Sequence, residues 1–154
     1  MKVAVGSDHA GFELKQKITE YLAASGMEVH DLGTVSTDSV DYPDFAEKVA
    51  LEVRDGRADR GILMCGTGIG VCIAANKVRG IRGAVVWDAE VARLSREHND
   101  SNVLCLPGRF MAPETARPIV DAWLRTEFAG GRHTRRIEKI ARIEADNRGQ
   151  EKTP

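Results

Sequence analysis

With 154 residues, 42% of them hydrophobic, the chain is long enough for one domain with a single buried core and needs no disulfide or metal staple. Its 22 basic and 23 acidic residues argue against a general attraction to nucleic acid or to anionic membranes. The three cysteines are odd in number and form no C-x-x-C pair, which predicts a reducing, cytoplasmic location. No apolar run reaches the ~20 residues of a membrane span, so we expect neither export nor anchoring.

Strands and helices alternate in the first part of the chain. The predicted elements are, in order, strand 2–6, a helix ending at Gly26, strand 27–32, a helix from Pro43 to Gly56, and strand 60–64. The first helix is predicted from Leu14, Ile18 and Leu22, which recur at helical spacing. In the second, Pro43 suits the first helical position, and Phe45 and Val49 begin its apolar stripe.

The same alternation continues to the end of the chain. The remaining predicted elements are a helix from Val71 to Val78, strand 84–87, a helix capped by Asp88 and ended by Asn99-Asp100, strand 103–106, a helix carrying Ile119 to Leu124, and a charged helix from Arg132 to about Arg148. Val91, Leu94 and His98 fall on one face of the helix after Asp88. Pro118 predicts a kink or a late start in its helix. The last helix has little apolar cover, which suggests that it needs a partner surface.

This pattern predicts an α/β fold: a three-layer αβα sandwich around a five-stranded parallel sheet with right-handed crossovers. We expect one domain over residues 1–148 and a frayed polar tail over 149–154. Ligands of such sheets bind outside the carboxyl ends of the strands. The turns at Asp8-His9, Cys65, Asp88 and Arg109 all follow predicted strands, so we expect them on one chemically active rim.

Cys65 ends a buried apolar run and is followed by Gly66, Gly68 and Gly70. These glycines allow positive φ and close approach of a ligand, and they open the helix that begins near Val71. A thiol at a helix N-terminus ionises more readily than a free one, so Cys65 is a candidate nucleophile or general base. The alternative is an inert core cysteine, which is also how we interpret Cys72 and Cys105.

Several further side chains have both a functional and a structural interpretation. Asp8 and His9 could act in a site, or could be solvated turn residues with Asp8 capping the first helix. His98 could act, or could be hydrogen-bonded at a helix C-terminus. Arg132 and Arg136 share a helical face that could hold a phosphate, although a solvated charged helix is the usual explanation. No His/Cys/Asp/Glu cluster has metal-ligand spacing, so we predict no metal.

A thiol base, backbone N–H donors and arginines for a dianion are the components of an enzyme that removes a proton α to a carbonyl. A dinucleotide-binding module is the alternative, because Gly66-Thr-Gly-Ile-Gly-Val approximates its fingerprint and Asp88 lies 20 residues after Gly68. The third glycine comes one place early, and the motif follows the third strand instead of the first. The segment Gly6-x-x-x-x-Gly11 lacks the Lys-Ser/Thr of a nucleoside triphosphate site.

Five motifs in order carry a family likeness: Gly6-Ser7-Asp8-His9-Ala10-Gly11, Asp41-Tyr42-Pro43-Asp44, Cys65-Gly66-Thr67-Gly68-Ile69-Gly70, Glu97-His98-Asn99 and Gly131-Arg132-His133. The chain resembles type B ribose-5-phosphate isomerases and related sugar-phosphate isomerases, including the galactose-6-phosphate isomerase subunits, over residues 1 to about 148. The resemblance implies a Rossmann-like fold and an aldose–ketose isomerase without metal or cofactor. It also implies a homodimer, or a dimer of dimers, whose sites use residues of both chains.

The resemblance implies roles for individual residues. Cys65 matches the base that moves a proton between C1 and C2, and His98 matches the residue that opens the furanose ring. Where family members lack the cysteine, a glutamate later in the loop serves; here position 74 is Ala, so the thiol version applies. The other matched residues are Asp8 and Thr67 near the ring oxygens, Asn99 beside the sugar, Gly66, Gly68, Ile69 and Gly70 in the enediolate-stabilising loop, His9, Arg109, Arg132 and Arg136 at the phosphate, and Tyr42 lining the pocket.

The substrate that this family likeness favours is D-ribose 5-phosphate, converted to D-ribulose 5-phosphate. The family handles sugars of four to six carbons with nearly the same residues, so a tetrose or hexose phosphate is the alternative. A noncatalytic sugar-phosphate-binding subunit is a third hypothesis.

Overall fold

The fold is an αβα sandwich, and the computed structural model describes residues 1–149. The strands are β1 (Lys2–Ser7), β2 (Glu28–Asp31), β3 (Arg60–Cys65), β4 (Gly83–Val85) and β5 (Val103–Pro107). The helices are α1 (Phe12–Ala24), α2 (Tyr42–Arg54), α3 (Ile69–Ala75), α4 (Ala89–Asn99), α5 (Pro113–Arg125) and α6 (Arg132–Gly149). The predicted alternation of strands and helices is therefore confirmed. None of the helices within residues 1–149 has the length and apolar character needed to cross a bilayer.

All strand pairs are parallel, and the order across the sheet is β2-β1-β3-β5-β4. From β1 the chain first adds β2 on one side and then β3 on the other, so the strand order reverses between β1 and β3. Ligands of doubly wound sheets bind beside such a reversal, outside the carboxyl ends of the strands. The turn after β1, which carries Asp8, and the end of β3, which carries Cys65, flank this position.

Alternating strand residues build two cores, one on each face of the sheet, because successive side chains of a strand point to opposite faces. On one face, side chains of β1, β3 and β5 pack against α1, α4 and α5: Val3, Val5, Ile62, Met64, Leu104 and Leu106. On the other face they pack against α2 and α3: Ala4, Leu63, Cys65, Val103 and Cys105. Cys72 of α3 joins this second core, which confirms the core interpretation of Cys72 and Cys105.

Helix α5 differs from the sequence-based expectation. It begins at Pro113 and continues through Pro118, so the late start predicted from Pro118 is wrong. The proline is the sixth residue of the helix, so it removes the one intrahelical hydrogen bond that an N–H at this position would donate to the Glu114 carbonyl oxygen. The buried stripe of Ile119, Val120 and Trp123 provides the compensating packing.

Helix α4 begins as predicted, with the Asp88 carboxylate accepting the Val91 N–H at 2.8 Å, but its buried face is a different one. The fully buried residues are Ala92, Ser95 and Arg96. The predicted apolar face, including His98, is only half-buried. Hydrophobic periodicity missed the buried face because it treats every arginine as a surface residue, whereas Arg96 is buried.

Helix α6 packs its first turn near α4 and leaves apolar side chains exposed farther along. Ile140 is 48% exposed and Ile143 is 62% exposed. The Glu144 carboxylate accepts the Gly80 N–H at 3.0 Å and so ties the helix to the segment before β4. The predicted need of this helix for a partner surface stays a prediction. Gly149 is its last residue, and residues 150–154 of the predicted tail lie outside the described residues.

Candidate active site

Three turns meet at the carboxyl edge of the sheet, as predicted. The Asp8 N–H donates to the Met64 carbonyl oxygen at 3.3 Å, which joins the β1 turn to the end of β3. The Gly108 N–H donates to the Cys65 carbonyl oxygen at 2.8 Å, and the Arg109 N–H donates to the Gly66 carbonyl oxygen at 3.1 Å. These backbone contacts fix the turns after β1, β3 and β5 relative to one another.

The β1 turn places Asp8 and His9 at this edge in defined orientations. The buried Asp8 carboxylate accepts the N–H groups of Ala10 and Gly11 at 2.9 and 3.1 Å, so it stabilises the turn before α1 and does not cap the helix itself. Nδ1 of His9 accepts the Val40 N–H at 3.2 Å. The proton of a neutral His9 therefore lies on Nε2, which is left as a donor for a ligand.

Cys65 is the last residue of β3, and its side chain is only 5% exposed. The glycine turn that follows it has φ of +75° at Gly68, and helix α3 begins at Ile69, two residues earlier than predicted. A Cβ added at Gly68 would lie 3.1 Å from the Leu106 carbonyl oxygen. The turn therefore needs glycine here both for its conformation and for its contact with β5.

Side chains from other elements cover this turn. A Cβ at Gly70 would lie 2.9 Å from Cζ of Tyr42, so the phenol ring rests directly on the glycine. Arg109 lies over Gly66, with its Cδ 3.4 Å from the corresponding Cβ position. The Thr67 hydroxyl accepts the Ile69 N–H at 3.2 Å. The structure thus brings together nine of the predicted residues around Cys65: Asp8, His9, Tyr42, Gly66, Thr67, Gly68, Ile69, Gly70 and Arg109. We call these and Cys65 the cysteine half-site.

His98 and Asn99 lie at the opposite edge of the sheet, because α4 runs antiparallel to the strands and ends there. Arg82, just before β4, donates from Nε to the Asn99 carbonyl oxygen at 3.0 Å. The first residues of the strands β3 and β5 pair at this edge, whereas Cys65 pairs with Pro107 at the other. At about 3.3 Å per residue, the six residues of β3 separate the two edges by about 16 Å.

The predicted phosphate residues of α6 lie beside His98. The imidazole ring of His133 stacks on that of His98 with centroids 4.2 Å apart and planes inclined by 11°. Arg132 Nε is 3.5 Å from His133 Nε2, and Arg136 Nη1 is 3.4 Å from His133 Nδ1. We call this group, His98, Asn99, Arg132, His133 and Arg136, the histidine half-site. One chain therefore carries both half-sites but does not bring them together.

His133 is the functional candidate that sequence reasoning left out, although it belongs to the Gly131-Arg132-His133 motif. It is buried between two arginines, and burial followed by the nearby positive groups lowers its pKa. Its spacing of three residues from Arg136 was the available signal, since side chains three apart on a helix are neighbours.

No group of three His, Cys, Asp or Glu side chains within residues 1–149 has an arrangement that could hold a metal ion.

The thiol of Cys105 lies in the second core. Burial raises the pKa of Cys105 well above the ordinary value of a thiol, which fits an inert core residue.

The comparison with protein families covers nearly the whole chain: the model described as Ribose/Galactose Isomerase matches residues 3–140. The chain belongs to this family. The predicted resemblance is therefore confirmed, and the protein is an isomerase of the Rossmann-like α/β type.

Individual relatives are similar over nearly their full length. Ribose-5-phosphate isomerase B of Escherichia coli K12 is 51% identical over 143 residues, covering 93% of this chain and 96% of the relative. The structure of ribose-5-phosphate isomerase B from Mycoplasma genitalium with bound ribulose-5-phosphate superposes with a TM-score of 0.89 at 47% identity, covering 94% of this chain and 96% of that one. D-erythrulose-4-phosphate isomerase of Pectobacterium atrosepticum is 42% identical, covering 97% of this chain and 99% of the relative.

Proposed function

We propose that this isomerase interconverts D-ribose 5-phosphate and D-ribulose 5-phosphate, with Cys65 as the base. The observation that carries the proposal is the thiol of Cys65 at the end of β3, directly before a turn whose left-handed position requires glycine at Gly68. Family membership supplies the reaction class, and the relatives named ribose-5-phosphate isomerase B supply the pentose phosphate.

The chemistry follows from the cysteine half-site. The Cys65 thiolate removes the proton from C2 of the open-chain aldose. The electrons of the C2–H bond form a C1=C2 double bond and those of the C1=O π bond move to O1, which gives the enediolate. The backbone N–H groups of the 66–70 turn stabilise the negative charge on O1. The same sulfur returns the proton to C1, while the hydroxyl proton moves from O2 to O1 and leaves a ketone at C2. Positioned acid–base catalysis of this kind contributes about 10²- to 10⁴-fold.

The open-chain sugar must first come from the furanose, and we assign that step to His98. Nε2 or Nδ1 of its imidazole moves the proton between the C1 hydroxyl and the ring oxygen, with Asp8 and Thr67 holding the ring oxygens and Asn99 beside the sugar. Ile69 belongs to the 66–70 turn and is 53% exposed, so its side chain can contact the sugar. His9, Arg109, Arg132 and Arg136 hold the phosphate, for which the planar fork of arginine is well suited.

The separation of the half-sites supports a homodimer with shared sites. Groups that act on one sugar must contact it together, yet about 16 Å of sheet lies between the two half-sites of one chain. In a two-fold dimer, the cysteine half-site of each copy faces the histidine half-site of the other, which makes two complete sites. Large apolar side chains stand exposed at the carboxyl edge of the sheet, among them Trp87 after β4 at 63% and Phe110 after β5 at 77%, and a second copy would cover them.

The first experiment is a turnover panel with aldose and ketose phosphates of four to six carbons, in the presence of a chelator. We expect the highest kcat/KM for the pentose phosphates and a loss of at least ~10²-fold in kcat for Cys65→Ala. Cys72→Ala, which removes a thiol from the core below the site, is the matched control and retains turnover. Binding of phosphosugars without conversion by the wild type would instead identify a noncatalytic subunit.

A tetrose phosphate is the second candidate, and one observation favours it: the relative from Pectobacterium atrosepticum, named for D-erythrulose 4-phosphate, matches over nearly its full length. A kcat/KM for the tetrose phosphates above that for the pentose phosphates in the same panel would decide for it.

A further inference from the structure

The imidazole of His133 has an unusual set of neighbours. Its side chain is 7% exposed, one ring nitrogen faces Arg132 at 3.5 Å, the other faces Arg136 at 3.4 Å, and one ring face lies 4.2 Å from His98. The charged and titratable groups around it are Arg132 and Arg136 from α6 and Glu97 and His98 from α4. The Glu97 carboxylate pairs with Arg93, so it is already engaged.

This arrangement is incomplete in hydrogen-bonding terms. A neutral imidazole has one N–H donor and one acceptor nitrogen, and a guanidinium has donors only. One of the two arginine contacts must therefore set an N–H group against an N–H group. Burial and the positive neighbours lower the pKa of His133, so at about pH 7.5, above the ordinary imidazole pKa of ~6.5, the ring is mostly uncharged when no anion is bound.

A phosphate dianion supplies what the cluster lacks. Its oxygens accept from both guanidiniums, and its charge favours a positive ring nearby, because an opposite charge within about 4–6 Å stabilises the charged form. A protonated His133 can then donate from both nitrogens. We propose that His133 takes up a proton when the substrate phosphate binds between Arg132 and Arg136, so that phosphate binding is linked to protonation of a residue that does not itself react. This proposal rests on the phosphate site of the proposed function.

The linkage has a definite sign. The bound state holds the proton more tightly than the free state, so affinity for the dianion is highest where His133 is protonated in the complex and falls as the pH rises through that range.

The test is calorimetric titration of the full-length protein with ribitol 5-phosphate, which carries the phosphate but has no carbonyl to isomerise. The titrations are made at about pH 7.5, where a phosphate monoester with a second pKa near 6 is almost fully a dianion. They are repeated in buffers that differ in ionisation enthalpy. The dependence of the binding heat on the buffer gives the number of protons taken up. We expect net uptake of a fraction of a proton per site for the wild type.

Variants assign the proton. His133→Gln should bind ribitol 5-phosphate more weakly and without uptake, whereas His30→Gln, which changes a histidine between Glu28 and Glu52 on β2, should retain the wild-type value. Binding by the wild type with no proton uptake overturns the proposal and leaves the proposed function intact, as does uptake that His98→Gln abolishes and His133→Gln preserves. Failure of the wild type to bind at all overturns the phosphate site and this proposal with it.

Discussion

The buried guanidinium of Arg96 donates to Oδ1 of Asp100 at 2.8 Å, and this ion pair closes α4 directly behind His98 and Asn99. The same guanidinium donates to the carbonyl oxygens of Ser101 and Thr126, the second of which leads toward α6. Asp100 has φ of +45°, a left-handed conformation that few residues other than glycine adopt. The positions of His98 and Asn99 therefore depend on an arginine that never reaches the site.

Replacing this arginine should destabilise the fold. Arg96→Met leaves the carbonyl oxygens of Ser101 and Thr126 without their guanidinium donor, while Asp100 keeps its pair with Arg82, and we expect a loss of about 2 kcal/mol. Urea unfolding measures the loss. Arg93→Met is the matched control on the same helix, because its exposed pairs with Glu90 and Glu97 are worth at most about 1 kcal/mol. Equal losses for the two variants would show that Arg96 has no special role.

Comparing the alanine variants of two glycines with the same backbone conformation separates the effect of backbone strain from that of a steric clash. Gly68 and Gly80 have φ of +75° and +78°, but a Cβ at Gly80 would contact nothing within 4 Å. Gly80→Ala should cost about 1 kcal/mol of unfolding free energy for the left-handed conformation alone. Gly68→Ala adds the collision with Leu106 and moves the turn after Cys65, so it should lose more stability and also lower kcat. A normal kcat for Gly68→Ala would separate this turn from catalysis.

Mixing two inactive variants tests the shared site. Cys65→Ala and His98→Gln each disable one half-site, so each homodimer should be inactive. In a mixed dimer, one of the two sites combines the intact Cys65 of one copy with the intact His98 of the other. After unfolding and refolding an equal mixture, half the dimers are mixed, and we expect about one quarter of the wild-type activity. A mixture as inactive as its components would mean that both residues act within one chain.

The phosphate role of α6 can be tested by comparing its two faces. Arg132→Gln with Arg136→Gln removes two charge-assisted contacts of about 1.5 kcal/mol each, so the KM for ribose 5-phosphate should rise by at least ~100-fold. Arg135→Gln with Lys139→Gln removes the same charge from exposed positions of the same helix and should leave the KM nearly unchanged. A similar rise in KM for both double variants would indicate general electrostatic attraction of the phosphate by α6 and not a defined binding site.

Acid should weaken the fold partly through Glu52 of α2. The Glu52 carboxylate is hydrogen-bonded to Arg57 and to His30. Both contacts lower the pKa of Glu52, and the contact with Arg57 has the larger effect. The stabilisation is therefore complete above the pKa of an unfolded glutamate, about 4.3, and is lost as the pH falls through the lower pKa of the folded state. Glu52→Gln should flatten this part of the pH–stability curve, whereas Glu47→Gln, on the exposed face of α2, should not. Unfolding midpoints between about pH 3 and 6 measure the difference.

Much of the fold was predictable from local signals. The strand–helix alternation, the Asp88 cap and the glycine turn after Cys65 are encoded by neighbouring residues, and the carboxyl-edge rim follows from parallel strands. The exposed and buried forms of one residue type could not be told apart, so Arg96 and the buried Lys15, which pairs with Asp31, were missed.

The arrangement of the candidate site was harder to predict, because it depends on helix direction across the whole sheet. His98 and Cys65 both end an element, but Cys65 ends a strand and His98 ends a helix running the other way. That difference puts them at opposite edges, and spacing along the chain does not reveal it. The contact between His98 and His133 joins residues 35 positions apart and depends on how α6 packs against α4.

The sheet also carries protection against uncontrolled association. Its two edge strands are its shortest, β2 with four residues and β4 with three, and β2 reads Glu-Val-His-Asp. Short edges with ionisable side chains present few unpaired backbone groups and resist pairing with the strands of another molecule. Pairing of edge strands between molecules, which would extend the sheet into a fibril, is therefore disfavoured. Apolar side chains exposed at the ends of the strands then add little risk of aggregation through strand pairing.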